Sequence, residues 1–172
     1  MRGQAKATAF FGICVALAMI FSFVEVLLPP IFAAVPGVKL GLANVVIIFL
    51  LYRFGAVSAV TVSLLRVILV ALLFGNAVSF AYSAAGAVLS IALMIVLKKT
   101  RLFSAVGVSV VGGIAHNVGQ ILMAIFLIGV AELGYYLIVL ALTGCLFGAF
   151  IGALGALLVR RVPRLPFERD LP

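Results

Sequence analysis

The sequence predicts an all-α integral membrane protein, a bundle of six transmembrane helices with both termini in the cytoplasm. Composition, the spacing of apolar runs and the placement of basic residues each point there. Of the 172 residues, 67% are hydrophobic and 9% charged, and the mean hydropathy is +1.45. A soluble domain carries charge at roughly a quarter of its positions, so most of this surface must face lipid. A span needs roughly 20 apolar residues, and such runs recur along the whole chain as one membrane domain.

The first run covers Ala7 to Leu28 and stops at Pro29-Pro30. The second, short and with an ill-defined start, goes from Pro36 to Phe54, and the third from Ala56 to Phe74. Gly75-Asn76 is a turn signal, after which a fourth run extends from Ala77 to Leu97. The fifth lies within Ser104 to Val130 and the sixth within Leu133 to Val159. Arg2 and Lys6 imitate the basic region of a signal peptide, but the run is long for one and further spans follow, so a retained first helix is expected.

Basic residues in short loops collect on the cytoplasmic side. Six spans put Arg2, Lys6, Arg53, Lys98, Lys99, Arg101, Arg160, Arg161, Arg164 and Arg169 on one face and Lys39 on the other, with Arg66 inside a span. Five spans would break that alternation. Both termini are therefore expected in the cytoplasm, and the expected location is a prokaryotic cytoplasmic membrane, crossed several times. The 12 Lys and Arg against 4 Asp and Glu do not indicate nucleic acid, because the basic residues sit between apolar runs rather than along a polar face. Cys14 and Cys145 lie inside apolar runs, match no metal or redox spacing and read as small apolar fillers.

Small residues and interhelical hydrogen bonds hold helices together in lipid. Gly144, Gly148 and Gly152 recur every four residues, with Ala149 and Ala153 beside them, and Ala5, Ala9, Gly12 and Ala16 make a similar stripe. Periodicity alone does not separate internal packing from a docking face for another membrane subunit.

Polar side chains at membrane depth are costly and face an interior or a cavity. Arg66, mid-span, carries a cost of about 2.5 to 3.5 kcal/mol that something must offset. Glu25 is the one acid embedded in a span, and a structural pair with Arg66 and a ligand-binding role for Arg66 both remain open. On the fifth span His116 and Gln120 share a face, with Asn117 beside them, either as ties between helices or as the polar wall of a substrate cavity. Asn44 lies in the outer half of the second span, and Tyr82 adjoins the helically spaced Ser79, Ser83 and Ser90, serines that commonly bond their own backbone. Glu25, Lys39, Asn44, Arg66, Tyr82, His116, Asn117 and Gln120 are the candidate substrate-binding residues. The Pro-rich segment from Pro29 to Val38 reads either as a cap over an outward cavity or as a segment resting at the interface.

Missing motifs narrow the function further. There is no phosphate loop of the Gly-x-x-x-x-Gly-Lys-Ser/Thr type. Asp170 is the only aspartate, so neither a magnesium-held diphosphate, which needs clustered carboxylates, nor a Ser/His/Asp triad is provided for. One His and no acid or Cys cluster speak against a metal site. No catalytic residue, metal or cofactor is expected, and the chain reads as not an enzyme.

Pro36 to Asn44, Ser63-Leu64-Leu65-Arg66, Leu73-Phe74-Gly75-Asn76 and Ala115-His116-Asn117-Val118-Gly119-Gln120 together resemble the Gx transporter family, also labelled heptaprenyl diphosphate synthase component I. The likeness runs from about Ala7 to Val159. That family is similar to the substrate-binding S components of energy-coupling factor transporters, six-helix proteins that capture a vitamin-like compound. The resemblance implies an S-component-like bundle working with a transmembrane coupling subunit and two cytoplasmic ATPase subunits, and Ala5, Ala9 and Gly12 as the docking stripe. Under the other label the chain is a non-catalytic membrane partner of a separate prenyl synthase subunit, since Asp-rich motifs are missing. The expected function is thus capture of a small vitamin-like or cofactor-related compound for ATP-driven transport, with the synthase partner as the alternative.

Overall fold

The computed structural model describes residues 2–27, 41–165 and 167–168. Among these, the chain forms α1 (Arg2–Leu27), α2 (Asn44–Arg53), α3 (Ala56–Phe74), α4 (Ala77–Thr100), α5 (Ala105–Ile128), a 3₁₀ turn (Ala131–Tyr136) and α6 (Leu137–Arg161). Five of these helical segments are long and apolar enough to cross a membrane. Large apolar side chains point outward along them, with Leu72 77%, Phe126 80% and Leu146 71% exposed. In water this surface would aggregate, so it is a lipid-facing surface. The protein is a multi-pass membrane protein.

The second expected span differs most from its expectation. Its helical part has ten residues, about 15 Å of rise against a hydrocarbon core of about 30 Å. The stretch from Pro36 to Leu40, and with it Lys39 and the Pro-rich segment, lies outside the described residues. What is described of α2 sits in the interior, where every residue from Asn44 to Leu51 is buried. It contacts α1, α3, α5 and α6. This explains why its sequence, Asn-Val-Val-Ile-Ile-Phe-Leu-Leu, has no polar face: a helix enclosed on all sides has no use for one.

Side-chain contacts fix the direction of α2. Phe54, just after it, packs on Phe10 and Phe11 near the start of α1, with ring centroids 5.2 and 5.4 Å apart. Glu25, near the end of α1, accepts the Leu42 N–H at 2.6 Å. The two helices are therefore antiparallel. Arg53 and Lys98 meet the end of α6 and the end of α2 respectively, through Arg53 Nη1 to the Val159 carbonyl at 3.3 Å and Lys98 Nζ to the Leu51 carbonyl. Basic residues from α2, α4 and α6 thus gather at one end of the bundle. The tail returns there too. Phe167 is buried between Phe10 and Phe54, and both Glu168 oxygens accept from Arg53 Nε, at 3.0 and 3.1 Å.

The remaining helices follow in sequence, α3 beside α4, α4 beside α5 and α5 beside α6. Asn76 and Ser104 cap α4 and α5 by accepting from Ser79 N and Gly107 N, the ordinary use of these residues at helix starts. Gly144, Gly148 and Gly152 face α5, so this groove is filled from within the molecule. A Cβ at Gly148 would stand 2.8 Å from Val110 Cα and 2.9 Å from the Ser109 carbonyl oxygen. Backbone cannot yield as a side-chain tip can. The stripe on α1 behaves differently: Ala5, Ala9 and Gly12 are exposed, and no atom of the described residues lies within 4 Å of a Cβ at Gly12.

Gly148→Ala adds helix propensity of up to about 1 kcal/mol, while overpacking a close contact costs about 1 to 3 kcal/mol. The net effect expected is lower stability, read as a drop of several degrees in thermal unfolding in detergent. Gly12→Ala, on the open face of α1, should leave the transition unchanged or raise it slightly.

Candidate functional site

Arg66 stands midway along α3 and is only 4% exposed. Its Nη1 donates to Ser22 Oγ at 3.0 Å, while Nε and Nη2 are buried without a hydrogen-bond partner among the described residues. Ser22 comes from α1, one turn before Glu25, so one face of α1 presents both groups toward the interior. The Glu25 carboxylate acts electrostatically on Arg66 while its Oε1 holds the Leu42 N–H. Glu25 thus serves two elements at once, a charge partner for α3 and an acceptor at the start of α2.

Beside Arg66 lies a cavity of about 10 Å³ lined by Ser22, Arg66, Val67, Val70, Ala71, Ser79 and Ser83. That is room for about one water molecule, beside three serines and a guanidinium. A vitamin-sized compound fills several hundred Å³, so this conformation does not hold one there. Near the α3–α4 turn an apolar groove of about 290 Å³ runs along Ile68, Ala71, Leu72, Asn76, Ala77 and Phe80, and Ala71 lines both this groove and the Arg66 cavity.

The polar group on α5 divides between two neighbours. Asn117 Nδ2 donates to the Leu140 carbonyl of α6 at 2.8 Å, which makes it a tie between helices. His116 and Gln120 face α4 instead. A Cβ at Gly86 would lie 3.0 Å from His116 Cε1 and 2.9 Å from Gln120 Cγ, so the glycine is what admits both side chains. His116 is 3% and Gln120 1% exposed. On α4, Ser83 and Gly86 share the buried face with Tyr82, so the Arg66 side and the His116 side meet across α4. Asn44 is buried at the first turn of α2, its amide folded over Gly41, whose φ of +83° favours glycine.

Sequence reasoning misses two participants. Ser22, the direct partner of Arg66, has a signal in its i to i+3 spacing from Glu25. Glu168, which fastens Arg53, has none beyond being one of the 4 acidic residues, in a tail that reads as polar and short.

A double-mutant cycle on Arg66→Ala and Glu25→Gln tests the electrostatic link. The amide introduced by Glu25→Gln can still accept from the Leu42 N–H, so the cycle isolates the charge. The two changes are expected to be non-additive in thermal stability by about 1 kcal/mol or more, against the roughly 0.3 to 0.5 kcal/mol scatter of independent sites.

The chain has no match among curated proteins or among solved structures. Residues 14–158 match the family described as heptaprenyl diphosphate synthase component I, which bears out that label of the resemblance drawn from the motifs between Pro36 and Gln120. As the match spans most of the sequence, the chain belongs to the heptaprenyl diphosphate synthase component I family.

Proposed function

We propose that the protein is a non-catalytic membrane component serving a heptaprenyl diphosphate synthase or another enzyme of quinone side-chain supply. The observation that carries this reading is family membership over a membrane body too poor in acids for prenyl-transfer chemistry. The chain has 4 Asp and Glu in all. Among the described residues, no three His, Cys, Asp or Glu side chains come together as a metal-holding group, and the embedded acid, Glu25, already binds backbone. Condensation of prenyl diphosphates through magnesium needs clustered carboxylates, so the catalytic groups would come from a separate soluble subunit. The membrane component would hold that subunit at the bilayer, where a long prenyl chain partitions. In this reading the basic end faces the cytoplasm of a prokaryotic cell, with all six helical segments forming one membrane bundle.

One observation favours a second reading, capture of a small compound as the S subunit of an ATP-driven transporter. Arg66 keeps two buried donors without partners beside a polar cavity, an arrangement suited to an anionic or carbonyl-rich ligand once α1 and α3 separate. Lys39, Tyr82, His116 and Gln120 would join it as binding residues. A transmembrane coupling subunit and two ATPase subunits would then dock on the exposed stripe of Ala5, Ala9 and Gly12.

Affinity purification from native membranes in mild detergent distinguishes the two. A soluble prenyl synthase subunit in stoichiometric amount is the expected result. Recovery of ATPase subunits with a second membrane protein would replace the first reading by the second, and an Arg66→Ala variant would then lose any co-purified small molecule.

A further inference from the structure

At the basic end, the last turn of α2 and the end of α6 enclose an open vestibule of about 1110 Å³. Tyr52, Arg53, Arg160, Arg164 and Glu168 line it together with the apolar Val159, Val162, Pro163 and Leu165. Among the described lining residues, the one acid is already engaged. Glu168 accepts from Arg53 Nε through both oxygens, and its Oε1 accepts the Leu165 N–H at 3.0 Å as well. Arg53 and Glu168 therefore cancel each other, and Arg160 and Arg164 remain as exposed cations. Two donors sit nearby in the protein interior without hydrogen-bond partners among the described residues, the Tyr52 hydroxyl and Arg53 Nη2. Lys98 lies over the Tyr52 ring, 5.4 Å from its centroid, adding positive potential behind the wall.

Loop-facing Lys and Arg need no ligand to explain them, since membrane topology gathers them on one side. Lys99 and Arg101 are of that kind, exposed. The vestibule differs in being concave, in having its acid occupied and in combining guanidinium groups with apolar walls. Guanidinium forks match phosphate oxygens better than any other side chain, and Leu157 and Leu158, in the turn of α6 just before the vestibule, are 49% and 38% exposed. A polar headgroup with an apolar tail meets both halves of that surface. An acidic peptide would leave the apolar half unused.

We propose that this vestibule binds the phosphate or diphosphate headgroup of a membrane amphiphile, with Arg160 and Arg164 as its principal cations and the tail running down the outside of α6. The headgroup has two possible sources, an anionic phospholipid or a prenyl diphosphate. The site does not depend on the synthase reading; only its prenyl-diphosphate arm does.

The test uses the full-length protein in phosphatidylcholine nanodiscs with radiolabelled farnesyl diphosphate, and native mass spectrometry in the presence of phosphatidylglycerol. Saturable binding of at least one probe is expected, weakened tenfold or more in the Arg160→Gln/Arg164→Gln double variant and unchanged in Arg101→Gln. Both altered residues are exposed, so the fold should persist, and an unshifted thermal transition confirms it. Uncharged farnesol should not compete. Binding of farnesyl diphosphate undisturbed by phosphatidylglycerol assigns the site to prenyl diphosphates. Binding of phosphatidylglycerol alone assigns it to phospholipid and removes the prenyl arm, leaving the synthase reading to the co-purification result. Equal binding by the double variant, competition by farnesol, or no saturable binding of either probe overturns the proposal.

Discussion

The buried second helix is the constraint to which the rest of the bundle answers. Each end of a helix leaves four backbone groups without intrahelical partners, and in an apolar surrounding every one left bare costs several kcal/mol. In α2 the two ends are only ten residues apart, so the demand is concentrated. At the start, Glu25 takes the Leu42 N–H and the turn at Gly41 takes that of Asn44. At the other end the Leu50 carbonyl receives the N–H groups of both Phe54 and Gly55, and that of Leu51 receives Lys98. An anion at the N-terminal side with Arg53 and Lys98 at the C-terminal side also matches the helix dipole. Two other helices, α1 through Glu25 and α4 through Lys98, are thereby tied to α2 by side chains that complete its backbone bonding.

This changes the meaning of Glu25. Within the sequence it is an isolated acid in an apolar run, and the natural partner to seek is the nearest buried cation, Arg66. The structure gives it a backbone N–H as well, from a residue 17 positions away. A carboxylate pinned by one oxygen is a fixed charge, and a fixed charge beside Arg66 offsets part of the cost of burying the guanidinium. The polar interior is then first a device for keeping a short helix and a buried cation in place. Any ligand site there is built on residues already employed.

The long spans are legible in the sequence because their signal is cumulative: about twenty apolar residues between basic loops leave little choice of structure. The borders of α3 match the expected run from Ala56 to Phe74, and α4 starts directly after the Gly75-Asn76 turn signal. The helical part of the second span is not legible, since a short apolar stretch reads the same whether it completes a span or fills a core. Spacing correctly puts His116 and Gln120 on one face but cannot say which neighbour that face meets. The decisive residue is Gly86 on α4, whose missing Cβ admits them. Nor can repetition tell the two small-residue stripes apart. Gly144, Gly148 and Gly152 are covered by α5, whereas Ala5, Ala9 and Gly12 are uncovered, and the difference depends on which helix lies next to each.

The distribution of small residues also divides the bundle mechanically. Among the described residues the α5–α6 and α4–α5 seams are the most extensive, and glycines on both sides bring backbone against backbone, as at Gly113 and Gly144. Close-packed backbones cannot slide without losing many contacts together, so α4, α5 and α6 form a stiff half. The α1–α3 and α3–α4 seams are smaller and rest on side chains, with the Arg66 cavity between them. Room for anything larger than a water at Arg66 would therefore come from movement of α1 or α3, either apart from each other, which breaks the Ser22–Arg66 hydrogen bond, or together away from α4, which keeps it. The vestibule at the basic end needs no such opening, because it is formed by the end of α6 and a tail held by Glu168 and Phe167. The two polar regions thus differ in kind, one closed and dependent on a change of helix packing, the other open and ready in the structure as it stands.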